Sequence, residues 1–114
     1  AALNVLGNQE GRKIAVLGDM LELGVCTQAE HYRVGRIAAE KADYLFAYGP
    51  NGPRMINGAI TGGMTGGRAK SFEDRNALAA ALKRTAQPGD VLLFKGSRGM
   101  HMELALELFL EEEK

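Results

Sequence analysis

Residues 13–19 read Lys-Ile-Ala-Val-Leu-Gly-Asp, a short run of strand-forming side chains that ends in a glycine turn. The same pattern returns at Tyr44–Tyr48 and at Asp90–Lys95, and each of these runs also closes on a glycine. A weaker strand is predicted near Ala69–Phe72. Together these runs predict four short strands.

Helical patterns separate the predicted strands. Thr27–Glu30 has the form of a capping box, in which two side chains satisfy the first free amides of a helix, and this helix is expected to end near Lys41. Apolar residues at helical spacing predict another helix after the third strand and a last one near the end of the chain. The apolar stripe of the last helix consists of Met102, Ala105, Leu106, Phe109 and Leu110.

The remaining segments are less regular. Pro53–Ile60 is predicted to be helical, whereas Gly62–Gly67 is rich in glycine and is predicted to be a mobile connection. Ala1–Leu6 contains helix formers without a cap before them, which indicates the tail of a helix that begins earlier.

This alternation of strands and helices is typical of parallel strands joined by right-handed crossovers, and 114 residues suffice for one such domain. We therefore predict an α/β fold with a Rossmann-like, doubly wound, mainly parallel sheet and helices on both faces. Sequential connections that reverse direction once produce the strand order 3-2-1-4. The reversal then lies between the first and fourth strands, where ligands of open α/β sheets bind.

Composition argues against several classes of protein. The chain has 14 Lys and Arg residues, 14 Asp and Glu residues, and no basic stretch rich in aromatic residues, so no nucleic-acid partner is expected. Its apolar runs are too short to cross a bilayer, and its first residues lack the form of a secretory signal. The single Cys26 cannot form an internal disulfide, and Cys26, His31 and Asp19 do not have a recognised zinc spacing. A cytoplasmic protein without membrane insertion or a metal site is expected.

Two segments, Gly18–Gly24 and Lys95–Met100, follow the strands that flank the predicted reversal. The second segment combines two cations, a serine that is expected to cap the last helix, and small glycines that let a ligand approach the helix N-terminus. Such a place favours an anion, because exposed amides and the helix dipole both attract negative charge. Its candidate substrate-binding residues are Lys95, Gly96, Ser97 and Arg98.

The first segment offers Asp19 and Glu22, on either side of Met20, as partners for an ammonium group. The two segments together are expected to hold a zwitterion such as an amino acid or a dipeptide. His31 falls in the first turn of the next helix and is expected to contact residues of the cleft rather than the ligand. Each candidate also has a structural alternative, such as closing a turn, capping a helix or lying in solvent.

Two motifs for nucleotide binding are missing. No Gly-x-Gly-x-x-Gly follows the first strand, so a dinucleotide site is not expected. Gly62–Ala69 imitates the spacing of a P-loop, but Arg68 and Ala69 occupy the positions of the phosphate-binding lysine and the magnesium-binding hydroxyl residue. No ATP chemistry is expected within this chain alone.

Gly18–Gly24 followed by His31, and Lys95–Met100 followed by Met102–Glu103, resemble motifs in the C-terminal domain of the Mur ligases, in particular the type that adds D-alanyl-D-alanine. The resemblance spans nearly the whole chain, with both motifs in the expected order. It implies a Rossmann-like domain that closes over the active site and is inactive alone. Residues 1–8 would then be the remnant of a helix that continues from a central ATP-binding domain.

For the intact enzyme, the resemblance implies a ligase of peptidoglycan synthesis that uses ATP and Mg²⁺, bound mainly by the central domain. The terminal carboxylate of UDP-N-acetylmuramoyl-tripeptide is phosphorylated, and the amine of D-Ala-D-Ala attacks the acyl phosphate. Ser97 and its neighbours would hold the dipeptide carboxylate, while Asp19 and Glu22 would form the amine side. The enzyme's own central and N-terminal domains are the implied protein partners.

Three other interpretations remain at this point: another Mur ligase, a folylpolyglutamate synthase-like ligase domain, and a free-standing flavodoxin-like binding module. The upstream reading frame distinguishes the ligases from the binding module, since a ligase requires a P-loop and a hinge before this domain.

Overall fold

The computed structural model describes residues 2–20, 27–97 and 100–111, and strands and helices alternate along these residues. The strands are β1 (Lys13–Gly18), β2 (Tyr44–Tyr48), β3 (Ala69–Phe72) and β4 (Val91–Lys95). The helices are α1 (Ala2–Gly7), α2 (Thr27–Lys41), α3 (Gly52–Thr61), α4 (Arg75–Thr85) and α5 (Met102–Leu110). A short 3₁₀ turn, Gly66–Arg68, precedes β3.

The four described strands form one parallel sheet in the order β3-β2-β1-β4. The prediction of a doubly wound sheet with strand order 3-2-1-4 is therefore confirmed. In the central strand, Leu17 lies opposite Ala47 of β2 and Lys95 of β4. This register brings the carboxyl ends of the three strands to the same edge of the sheet. None of the described helices is long and apolar enough to cross a membrane.

Strand β1 supplies side chains to two separate cores, because successive residues of a strand point to opposite faces. Ala15 and Leu17 pack with residues of α1, α2 and α3, whereas Ile14 and Val16 pack with residues of α4 and α5. All four side chains are buried. Helices therefore cover both faces of the central strand, as is usual for a parallel sheet.

Helices α2 and α3 cross with their backbones in contact. A Cβ atom built on Gly35 of α2 would lie 1.9 Å from the carbonyl oxygen of Met55, and one built on Gly58 of α3 would lie 1.9 Å from the carbonyl oxygen of Tyr32. These distances are far below ordinary contact, so no residue with a side chain fits at either position without moving a helix. No local pattern in the sequence predicted this crossing.

The segment between α3 and β3 differs from its prediction. Pro53–Ile60 lies within α3, so the predicted helix is confirmed, and the glycine-rich segment follows a helix rather than a strand. However, Met64 is only 8% exposed and packs in the core under α1, α2 and α3. Its backbone N–H also donates to the carbonyl oxygen of Ala59 at 3.0 Å. Gly62–Gly67 is thus anchored in the middle by a buried side chain, which its prediction as a glycine-rich connection did not include.

Helix α5 begins later than predicted. Its N-cap residue is His101, in the left-handed region with φ of 50°, so the prediction that Ser97 caps this helix is wrong. The carbonyl oxygen of Ser97 instead accepts the N–H of Met100 at 2.9 Å, which closes a turn before the helix.

The predicted stripe of α5 is correct except at its end. Met102 and Ala105 are buried and Phe109 packs beside Phe94 of β4, but Leu110 is 66% exposed. Leu110 is the last residue of the helix and borders an open hollow between α4 and α5, so its side chain remains largely in solvent.

An ion pair stabilises the edge of the sheet at which the strands begin, opposite their carboxyl ends. Nη2 of Arg12 lies 2.7 Å from Oδ2 of Asp90, and Nε donates to Oδ1 at 3.1 Å. The guanidinium also donates to the carbonyl oxygen of Thr85 and lies over the ring of Tyr44, 5.0 Å from its centroid. The hydrogen bond from Arg12 is the main reason why the pKa of Asp90 lies below its ordinary value. The pair joins the residue before β1 to the turn before β4.

Candidate functional site

A cleft of about 560 Å³ lies at the carboxyl edge of the sheet, between the ends of β1 and β4. After β1 the chain continues to α2 on one face, and after β4 it continues to α5 on the other. The two connections diverge, which opens a gap at this point of a doubly wound sheet. The polar residues that line it are Asn4, Arg33, Lys95 and Ser97. The apolar side chains that line it are Leu3, Leu17, Met20, Val34, Ile37 and Met55.

Four of the residues selected from the sequence line this cleft: Met20 on the β1 side, and Lys95, Gly96 and Ser97 on the β4 side. Gly96 also has a packing role there. A Cβ atom at this position would lie 2.8 Å from Cγ of Met102 and 3.1 Å from the backbone of Gly18. The two strand ends therefore approach each other above Met102 only because both carry glycine. Two further candidates, Glu22 and Arg98, lie outside the described residues.

The carboxylate of Asp19 points away from the cleft. It is 1% exposed and accepts three hydrogen bonds from Asn51, at the start of α3. The backbone N–H of Asn51 donates to Oδ1 at 3.0 Å and to Oδ2 at 3.2 Å, and Nδ2 of its side chain donates to Oδ2 at 2.8 Å. Asp19 thus ties the end of β1 to the beginning of α3.

The main chain of Asp19 extends the sheet beyond its strands. Its N–H donates to the carbonyl oxygen of Tyr48 at 3.1 Å, and its carbonyl oxygen accepts the N–H of Ser97 at 3.0 Å. Asp19 therefore connects the carboxyl ends of β2, β1 and β4, and it holds the backbone of Ser97 at the cleft.

His31 is completely buried beneath the beginning of the loop that follows β1. Its Nε2 accepts the backbone N–H of Met20 at 2.9 Å, and its Nδ1 lies 2.6 Å from the carbonyl oxygen of Thr27. It contacts a cleft residue through the main chain and is not among the residues that line the cleft.

The described rim of the cleft carries positive charge. Lys95 is exposed at the end of β4, and Arg33 of α2 lines the cleft while making a long ion pair of 3.7 Å with Glu30. Because Asp19 is turned toward Asn51, its charge does not oppose theirs at the rim. The arrangement suits an anionic group beside small apolar substituents.

Sequence reasoning missed Asn4, Arg33 and Asn51. Arg33 adjoins Val34, which belongs with Ile37 and Ala38 to the apolar residues at helical spacing in α2, so the edge of that apolar face was a usable signal. Asn51 follows a Gly-Pro pair at the carboxyl end of β2, the same sheet edge at which the candidates were sought. Asn4 lies on α1, and no local pattern indicates that this helix reaches the cleft.

A larger hollow of about 710 Å³ lies between the beginning of α4 and α5. It is more open than the cleft, and four acidic side chains contribute to its lining against a single arginine: Glu73, Asp74, Glu107 and Glu111. This hollow lies away from the gap between β1 and β4. We assign the candidate site to the smaller cleft, because the topology of the sheet and the cations both favour it.

The family described as "Mur ligase, glutamate ligase domain" matches residues 1–98. The chain belongs to this family. The match includes the four strands that the structure describes and both sides of the cleft as far as Ser97.

This Mur ligase domain has relatives of known name. It is 42% identical, over 98% of its length, to the UDP-N-acetylmuramoyl-tripeptide–D-alanyl-D-alanine ligase of Synechocystis sp., of which it covers 24%. The ligase of the same name from Bacillus subtilis is 37% identical, over 89% of this chain and 22% of that protein.

Solved structures agree with these relatives. A crystal structure of MurF from Acinetobacter baumannii superimposes with a TM-score of 0.84 and 34% identity, over 97% of this chain and 25% of that one. MurF ligase from Thermotoga maritima in complex with ADP superimposes with a TM-score of 0.78 and 26% identity, over 95% and 24%. The Mur ligase domain therefore spans about a quarter of the length of the proteins that it matches.

Proposed function

We propose that this chain is the domain of a D-alanyl-D-alanine-adding Mur ligase that brings in the incoming dipeptide. The observation that carries the proposal is the cleft between β1 and β4, which has a cationic rim and an apolar wall. D-Ala-D-Ala presents a carboxylate, an ammonium group and two methyl groups. A cleft with these properties complements the carboxylate and the methyl groups. The alternative ligases and the binding module receive no support from the relatives named above.

The carboxylate of the dipeptide would bind at the β4 side of the cleft. Lys95 supplies a cation and Ser97 a hydroxyl at this side, and Arg33 supplies a second cation from α2. Charged hydrogen bonds of this kind are stronger than neutral ones. Arg98, which follows directly in the sequence, belongs to the same proposed group.

The ammonium group would face the residues that follow β1. Glu22 is the proposed partner for it, since the carboxylate of Asp19 is already occupied by Asn51. Asp19 would serve the amine side indirectly, because its main chain joins the end of β1 to Tyr48 and to the backbone of Ser97.

In the intact ligase, transfer of the γ-phosphoryl group of ATP to the carboxylate of UDP-N-acetylmuramoyl-tripeptide would release ADP. The amine of the dipeptide would then attack the acyl phosphate, forming the amide bond as the bond to phosphate breaks and phosphate leaves. ATP and Mg²⁺ supply the phosphoryl chemistry when bound, and we propose that a preceding central domain holds them. Within this chain the glycine-rich segment follows a helix, and the described residues contain no group of three His, Cys, Asp or Glu side chains that could hold a metal. These residues do not fit a nucleotide-metal site. Closure of this domain would bring the amine of the dipeptide close to the acyl phosphate and exclude water from the reaction. We propose that the ligase acts in the cytoplasm of a bacterium.

A kinetic comparison of two serine variants tests the proposal in the full-length protein. Ser97→Ala is expected to raise the KM for D-Ala-D-Ala about tenfold, since a hydrogen bond to a charged group contributes about 1.5 kcal/mol. Ser71→Ala, on β3 and outside the residues that line the cleft, is the matched control and should leave KM unchanged. A full-length protein that forms no product from the tripeptide and the dipeptide would refute the proposal.

Binding to the 114-residue chain provides a second test. Calorimetric titration with D-Ala-D-Ala should show heat that titration with L-Ala-L-Ala or with ATP does not. Equal binding of the two dipeptides would contradict recognition of the D,D-dipeptide by this cleft.

A further inference from the structure

We infer that His31 is a positioning residue for the dipeptide cleft, which it serves by holding the backbone amide of Met20. This inference rests on the proposed function of the cleft. It assigns to a buried histidine a role that depends on one acceptor atom, Nε2, rather than on the bulk of the ring.

The contacts of His31 determine which nitrogen carries the proton. A carbonyl oxygen can only accept, so Nδ1, which lies 2.6 Å from the carbonyl oxygen of Thr27, must donate. A backbone N–H can only donate, so Nε2, which lies 2.9 Å from the nitrogen of Met20, must accept. The ring is therefore neutral, with its proton on Nδ1, and both nitrogens are used.

The position of Met20 explains why this bond concerns the cleft. Met20 lines the cleft directly, and the residue before it is already held to Tyr48 and Ser97 through its main chain. The hydrogen bond from the backbone N–H of Met20 to His31 on α2 fixes one further residue of the main chain after Asp19. Without an acceptor at Nε2, the amide of Met20 would have to turn toward water, and the β1 wall of the cleft would turn with it.

Variants at position 31 separate the acceptor from the bulk of the ring. His31→Gln retains an amide oxygen near the position of Nε2, whereas His31→Leu retains a similar volume without an acceptor. In the full-length ligase, His31→Leu is expected to raise the KM for D-Ala-D-Ala about tenfold, with a smaller change in kcat, because one buried donor loses its partner. His31→Gln should restore most of the wild-type KM. If His31 had only a structural role, His31→Leu would lower the fraction of folded protein and would not raise KM more than it changes kcat.

Two further variants serve as a control and as a replacement if His31→Leu does not fold. His101→Gln is the matched control, since His101 is the chain's other histidine and its side chain is 54% exposed at the start of α5. It should leave both constants unchanged. If His31→Leu does not fold, His31→Asn replaces it, because its amide nitrogen can still donate to Thr27 while no acceptor reaches Met20.

A measurement on the ring itself is independent of ligase activity. Long-range ¹⁵N–¹H spectra of the ¹⁵N-histidine-labelled 114-residue chain should show His31 protonated on Nδ1 alone. A proton on Nε2 overturns the inference, and so does an active ligase in which His31→Leu retains the wild-type KM. A full-length protein that does not use D-Ala-D-Ala overturns the proposed function, whichever tautomer the spectra show.

Discussion

Replacing Gly35 with alanine tests whether backbone contact between α2 and α3 shapes this domain. Two effects oppose each other at this position. Alanine in the interior of a helix is favoured over glycine by about 1 kcal/mol. Against this, the added Cβ would lie 1.9 Å from the carbonyl oxygen of Met55, 2.7 Å from its carbonyl carbon and 2.9 Å from its Cα. All three atoms belong to the backbone, so no side-chain rotation relieves the clash.

The distances set the size of the effect. Ordinary contact begins at 3.4 Å, so the helices would have to move apart by about 1.5 Å at their crossing. That movement would also loosen the reciprocal contact between Gly58 and Tyr32. Overpacking of a close-packed interior costs roughly 1–3 kcal/mol, and this contact lies at the upper end because the backbone itself must shift. After the gain in helix propensity, we expect a net loss of about 2 kcal/mol in the free energy of unfolding.

Urea unfolding at 25 °C, followed by far-ultraviolet circular dichroism, measures this loss. Gly67→Ala is the matched control, because no atom lies within 4 Å of its Cβ position. The control should remain within about 0.5 kcal/mol of wild type. A Gly35→Ala variant as stable as wild type, or more stable, would show that helix propensity outweighs the crossing and would refute the reasoning.

The other predictions concern the two buried carboxylates. Asp90→Asn should destabilise the chain at neutral pH, because the folded-state pKa of Asp90 lies below its ordinary value of 3.8 and the stabilisation from Arg12 is present above that value. The difference in unfolding free energy between wild type and variant should therefore diminish as pH falls below 3.8 through the folded-state pKa; a difference independent of pH would contradict this. Asp19→Ala should lower the unfolding free energy by about 2 kcal/mol, because the amide and side chain of Asn51 lose their acceptor. Thermal melts of Asp19→Ala beside Asp74→Ala, which removes an exposed N-cap, would show whether the buried carboxylate contributes more.

Strands β1, β2 and β4 were predictable because each is a largely apolar run that ends in a glycine turn, whereas β3 carries two polar residues and no glycine after it. Parallel strands buried on both faces show this pattern, and Ile14, Val16 and Leu17 are buried accordingly. Helix α4 was predictable for a related reason, since Leu78, Ala81 and Leu82 repeat at helical spacing and all three are buried.

The start and end of α5 were harder to predict. Ser97 is a favourable capping residue, but the turn that its carbonyl oxygen closes with Met100 delays the helix. Leu110 continues the apolar spacing, but it is the last residue of the helix and borders an open hollow, so it stays largely exposed. Local propensity describes what a residue can do, and packing decides where an element stops.

The cleft, too, was predictable where it depends on local pattern and unpredictable where it depends on packing. Its location follows from strand order, and strand order follows from the sequence of elements, so Met20, Lys95, Gly96 and Ser97 were placed at the correct edge. The direction of the Asp19 carboxylate depends on Asn51, which lies 32 residues further along the chain. No spacing rule connects those two residues.

The sequence by itself determined the α/β class, the order of the strands, the edge at which the cleft lies and the resemblance to the Mur ligases. These properties depend on periodicity, turn residues and short motifs, which act within a few residues of one another. Only the tertiary structure decided that Asp19 turns toward Asn51, that His31 carries its proton on Nδ1, and that α2 and α3 meet at glycines. Each of these depends on distances between atoms that folding brings together, and a difference of about 1 Å between such atoms separates a hydrogen bond or a close contact from none.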